Sequence, residues 1–246
     1  MAKVNVTIET RDGSCPTSVF TPDGSEGPWP GVIFFMDGLA IRPVLWEMGQ
    51  RLADGGYVVV LPDLYYRSGS YEPMIPAKVF SDPAEREKLM KFIFSLNRDT
   101  KISDTGAFLE YLESHTDVKG DKFGVTGYCM GGNISLTAAA AYPDKIAAAA
   151  SIHGGNLASE QPDSPHLFAK SIKGRVYVAG AIEDTHFTDE QKALLEKALT
   201  EAEVKHVVET YEGAHHGFAV PDVPTYNEAA AERHWKATFD LFGETL

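Results

Sequence analysis

The residues best able to do covalent chemistry in this 246-residue chain are a cysteine framed by glycines, Gly127-Tyr128-Cys129-Met130-Gly131-Gly132. A short apolar run over 123–126 precedes them, and an alanine-rich helical stretch over 133–141 follows. A strand, a sharp turn and a helix in that order hold a nucleophile out on a strained backbone. Small residues two before and two after it are needed, because a side chain there would strike the packed backbone. A thiolate so placed could attack a carbonyl carbon. The plainer reading is that Cys129 is one more small buried hydrophobe.

A cysteine nucleophile needs a base to take and return its proton, and that base needs a carboxylate to fix its tautomer. Both types follow downstream. Glu183-Asp184 comes after an apolar run at 175–179, and Glu212-Gly213-Ala214-His215-His216-Gly217-Phe218 after another at 206–211. The order is nucleophile, acid, histidine, with gaps of 55 and 32 residues from Cys129 to Asp184 and from Asp184 to His216. His215 rivals His216, Glu183 rivals Asp184, and His153 stands at a strand end nearby. Adjacent histidines point apart and no third ligand has a familiar spacing, so no metal is expected.

The elements that must position these groups alternate. Strands are expected at 4–9 and 17–21 (a hairpin turning at Asp12-Gly13), 32–36, 57–61, 123–126, 146–152, 175–179 and 206–211. Helices are expected at 43–53, 83–96, 102–113, 133–141, 189–202 and 226–242. The stretch 64–82, with Gly69, Pro73 and Pro76, reads as an irregular excursion. The alternation predicts an α/β fold with a mostly parallel sheet covered on both faces, in one domain over 1–246. Ligands of such sheets sit at the carboxyl ends of the strands, which directs attention to Asp37, Cys129, His153, Asp184 and His216.

Composition bounds the rest. An apolar share of 43% suits a globular core, and no apolar run approaches the ~20 residues of a membrane span. A net charge of −13 without a basic patch argues against nucleic acid. Two cysteines, Cys15 and Cys129, and an opening stretch without a signal-like apolar segment predict a cytoplasmic protein.

Together, Met36-Asp37-Gly38, Pro62-Asp63-Leu64-Tyr65-Tyr66-Arg67, the Cys129 turn, Glu183-Asp184 and Ala214-His215-His216-Gly217-Phe218 resemble the dienelactone hydrolase family (carboxymethylenebutenolidase-like) in content and order. The resemblance implies an α/β-hydrolase fold without a large cap domain. It implies a lactone- or ester-opening enzyme that needs no cofactor and acts on a small molecule away from membranes. By position it makes Cys129 the nucleophile, Asp184 the acid and His216 the base, with an oxyanion hole from the backbone N–H groups of Gly38 and Met130. Tyr128, before the cysteine, and Arg86 are candidate substrate-binding groups, and Arg42 and Arg67 are further candidates for clamping a substrate carboxylate. Two positions depart from the family's prototype: Asp37 stands in place of glutamate, and Gly217 in place of serine. Asp37 either modulates the thiol through its charge or caps the Asp37-Gly38 turn. The competing functions are a non-catalytic binding or redox-sensing relative and a cysteine acyltransferase.

Overall fold

The computed structural model describes residues 2–23, 26–72 and 74–246. The chain runs β1 (Ala2–Thr10), β2 (Gly13–Thr21), β3 (Gly31–Phe35), α1 (Pro43–Asp54), β4 (Val58–Pro62), α2 (Pro76–Ser81), α3 (Pro83–Ser95) and α4 (Arg98–Ser114). It continues through β5 (Phe123–Tyr128), α5 (Met130–Ala141), β6 (Ile146–Ile152), β7 (Arg175–Ala181), α6 (Asp189–Glu201), β8 (His206–Tyr211) and α7 (Glu228–Gly243). These strands form one eight-stranded sheet in the order β1-β2-β4-β3-β5-β6-β7-β8. β2 is antiparallel to β1 and β4, and every pairing from β4 to β8 is parallel. This is the mostly parallel α/β sheet that the alternation predicts, in the α/β-hydrolase order that the family resemblance implies.

Parallel strands covered on both faces read as continuous apolar runs, and β3, β4 and β5 are buried at every position. Alternation along β5 assigns the two faces. A Cβ on Gly124 would meet Phe242 of α7, and the Tyr128 ring packs against His234 and Trp235 of the same helix. Gly127, on the opposite face, lies against α5 at Gly131. α1 joins α7 through an Arg51–Glu232 ion pair, and Tyr57, just past α1, packs its ring on Phe239 and Phe242.

Element types agree with expectation and several boundaries move. α4 starts at Arg98 rather than 102 because Asn97 and Thr100 form a reciprocal capping box, each side chain accepting the other's backbone N–H. α5 starts at Met130, directly after the cysteine. The 64–82 excursion contains α2, with Pro76 in its first turn where the missing N–H costs nothing. Pro73, read above as a breaker there, lies outside the described residues.

Behind the carboxyl ends of β5 and β6 sits a buried polar group: the Tyr128 phenol, His153, His234 and Thr238, with no ring nitrogen or hydroxyl bonded to another residue. Burial pushes the His234 pKa down to about 3, assisted by the charge of Arg51. Burial, with the charges of His216 and His234, drives His153 well below its usual 6.5. The unfolded chain therefore takes up these protons first, so stability present above about pH 6.5 is lost as the pH falls toward the folded values. Replacing His234 with Phe keeps the ring contacts and removes the titration. Between pH 8 and pH 5 the variant should lose less unfolding free energy than wild type, by about 2 kcal/mol, in urea titrations. Equal losses would show that this histidine is not the source.

Candidate functional site

Cys129 has φ 55° and ψ −115°, a conformation sparsely populated by residues with a side chain. Its neighbours explain how the chain is held there. A Cβ on Gly127 would lie 2.1 Å from the carbonyl oxygen of Gly131, and one on Gly131 would lie 2.3 Å from that of Phe35. One on Gly132 would meet Ser151 Oγ at 2.6 Å. The glycines thus let β5, α5 and β3 approach backbone to backbone. The turn is tied to β6 as well: Cys129 N–H donates to Ile152 O at 3.1 Å, and Gly155 N–H donates to Cys129 O at 3.4 Å.

Asp184 and His216 arrive on the loops after β7 and β8, joined where Ile182 N–H donates to Ala214 O at 2.9 Å. His216 Nδ1 lies 2.8 Å from Asp184 Oδ2; a carboxylate only accepts, so Nδ1 carries the proton. The other Asp184 oxygen accepts the His186 amide at 2.8 Å. His216 and Cys129 border the same cavity. Burial opposes charge on this imidazole, but the charge of a Cys129 thiolate and the Asp184 hydrogen bond outweigh it and push its pKa up to about 10. Burial likewise opposes the Asp184 charge, and the His216 bond with the His186 amide brings its carboxyl below the usual range. The rivals lie outside: His215 and Glu183 are exposed.

The His216 ring is flanked by His153 and His186, each edge-on with centroids 5.1 Å away. The flank from His186 is absent from the sequence reading, where nothing but its distance past Asp184 could have signalled it. Gly217 has φ +92°, and a Cβ there would meet Thr225 Oγ1 at 2.8 Å and Val223 at 2.9 Å. The departure from serine at this position is enforced by backbone and packing together.

Met130 opens α5, where first-turn amides have no intrahelical acceptor. Across from it, the Tyr65 hydroxyl donates to Gly38 O at 2.9 Å and Leu39 N–H donates to Asp37 Oδ1 at 2.9 Å, fixing the loop after β3. Asp37 therefore caps its turn. It also lies in a buried ion pair: the Arg42 guanidinium meets both its oxygens at 2.7 and 2.8 Å. Turn capping and this ion pair are the interactions the structure gives Asp37.

Three other expectations change. Arg42 cannot clamp a substrate, because all five of its N–H donors are engaged by Asp37, Asp222 and Ala40 O. Arg67 pairs with Asp12 and Asp104, away from the thiol. Tyr128 contributes nothing to the cavity over Cys129; strand alternation sends its ring back into the α7 layer, against Phe34 and His234. Of the predicted substrate contacts Arg86, on α3, does border that cavity, which has a volume of about 180 Å³ and is floored by Cys129, His216 and Gly38. Asp222 and Tyr65, which hold the two loops, are the positioning groups the sequence reading missed. Tyr65 lay within a quoted motif, whereas Asp222 gave no signal.

Among the described residues no group of three or more His, Cys, Asp or Glu is placed to hold a metal ion, and no helix is long and apolar enough to cross a membrane. The family model for the dienelactone hydrolase family matches residues 15–246. A protein of Synechocystis sp., provisionally named carboxymethylenebutenolidase, is 28% identical over 225 residues, covering 89% of this chain and 88% of that protein. The carboxymethylenebutenolidase of Rhodococcus opacus is 26% identical over 251 residues, covering 100% and 93%. A crystal structure from Klebsiella pneumoniae, provisionally described as a dienelactone hydrolase, superposes with a TM-score of 0.83 at 20% identity over 98% of both chains, which establishes the shared fold. With the match running from β2 through the cysteine turn and both later loops to the last residue, this chain belongs to the dienelactone hydrolase family.

Proposed function

We propose that this protein hydrolyses small carboxylic esters or lactones through a thioester formed on Cys129. Family membership makes the chain a hydrolase of the carboxylic ester and lactone class; the nucleophile, the intermediate and the residue roles are our reading. The observation that carries it is the His216–Asp184 hydrogen bond set on the same cavity as Cys129, which stands on a strained turn at the start of α5.

The Cys129 thiolate attacks the carbonyl carbon, and the π electrons move to oxygen, where the Gly38 and Met130 N–H groups stabilise the charge. Collapse expels the alkoxide, which takes the Nε2 proton from His216. In a lactone the leaving oxygen stays tethered, so the acyl-enzyme already carries the new hydroxyl. Neutral His216 then removes a proton from water, whose oxygen attacks the thioester. The second collapse returns the sulfur as thiolate and frees the carboxylic acid, while Asp184 holds the imidazole in one tautomer and steadies its charged form throughout. Both thiols being free agrees with a reducing, cytoplasmic setting.

Cys129 and Cys15 should separate cleanly. Burial pushes the Cys15 thiol up to about 12, whereas Cys129 is only partly buried and borders the open cavity beside His216. Iodoacetamide should label Cys129 first, by peptide mass spectrometry, and abolish ester hydrolysis; a labelled enzyme that still turns over would refute the proposal. His216→Ala should lower kcat by roughly 10³-fold or more and His215→Ala should have little effect. Reversed effects would assign the base to the wrong histidine. Cys129→Ser removes the thiolate charge that raises His216, so the imidazole should titrate well below about 10 in the variant, as read by NMR of the ring protons. An unchanged titration would place the thiol outside the pair.

A further inference from the structure

The cavity over Cys129 has walls that the chemistry of ester opening does not call for. Six aliphatic side chains border it: Leu39, Val79, Leu89, Ile93, Val220 and Val223. Four of these are buried, but Leu89 and Ile93, on the inner side of α3, are only partly so. They keep apolar surface that a ligand's hydrocarbon would remove from water. Groups that could receive a charged substituent are accounted for. Arg42 spends every donor on Asp37, Asp222 and a backbone carbonyl. The Gly217 position has no room for a hydroxyl-bearing side chain. Arg86 stands at the exposed rim on α3, and the chain as a whole carries a charge of −13 that repels anions at long range.

We propose that the substrate group bound in this cavity is uncharged and aliphatic, so that the protein prefers neutral esters or lactones bearing an alkyl chain over those bearing a carboxylate. This rests on the hydrolase reading above only for its kinetic test. The Arg42 arrangement gives the inference its force: a cation lies beside the mouth, yet two carboxylates of the protein itself already occupy four of its five donors and the Ala40 carbonyl the fifth. A substrate carboxylate would have to displace one of them.

Two measurements test it. In the first, p-nitrophenyl esters of straight-chain acids are compared with esters of equal length ending in a carboxylate. kcat/KM should rise about fourfold per added methylene until the cavity is full, and each carboxylated ester should fall at least tenfold below its neutral partner. Leu89→Ser should shrink the rise per methylene. A flat dependence on chain length overturns the proposal, as does a preference for the carboxylated series that Arg86→Gln abolishes. The second measurement needs no hydrolysis. Alkylation of Cys129 by N-alkylmaleimides should quicken with chain length and slow with ω-carboxyalkyl counterparts. Chain-dependent alkylation without ester turnover would sink the hydrolase reading and support the cavity assignment. Turnover and alkylation both indifferent to chain length would do the reverse.

Discussion

The contact between Gly127 and Gly131 is the constraint on which the rest of this site depends. It brings the end of β5 against the first turn of α5 with no Cβ between them, and so leaves Cys129 at φ 55° at the apex. Backbone in such a region costs about 1–3 kcal/mol and persists only where surrounding structure over-determines it. Here Gly131 is pressed on β3 while the Cys129 amide is bonded to β6, so both flanking strands hold the turn. The same geometry places the sulfur at a helix N-terminus, where the backbone favours negative charge. Strain, helix start and thiol position are one feature of the chain.

A second constraint fixes the loops around that apex. Arg42, 5% exposed, bridges Asp37 at the end of β3 and Asp222 in the segment that follows His216. Burying a guanidinium is costly unless its donors are met, and here each has an acceptor. The bridge joins the loop that carries the Gly38 amide to the loop that carries the imidazole. Tyr65 adds a bond from β4's side to Gly38 O. The acid loop is joined separately, through Ile182 and Ala214. Three loops from distant parts of the chain are thereby set around one sulfur atom by neighbours that play no part in the proposed bond making. Behind them lie His153 and His234, whose pKa values burial holds below the usual histidine range.

What was legible in the sequence is what short-range chemistry dictates. The cysteine turn could be read because its glycines are demanded by local backbone approach, and the acid and histidine because each follows its own apolar strand run. The parallel sheet followed from the same runs. Side-chain direction was partly legible and misjudged: Tyr128 is two residues past Thr126 on one face of β5, so period-two alternation already points it away from the mouth. The fates of Arg42 and Arg67 were not legible, since their partners Asp222 and Asp104 lie far along the chain and only the folded topology brings them near. Asp37 combined both kinds of information. Its turn-capping role was readable from Asp37-Gly38, whereas its ion pair with Arg42, only five residues on, depends on how the loop after β3 folds back. The early start of α4 is written in Asn97 and Thr100, a capping signal that hydrophobic periodicity does not contain.

The central claim is covalent: acyl transfer to Cys129, driven by His216. Intact-protein mass spectrometry of the enzyme mixed with excess p-nitrophenyl acetate and quenched in acid addresses it most directly. The account predicts a species heavier by one acetyl group, found on the peptide carrying Cys129, formed within the burst of nitrophenolate and decaying at the turnover rate. Steady hydrolysis with no acylated protein at any time, or an acetyl group located on another residue, would contradict it.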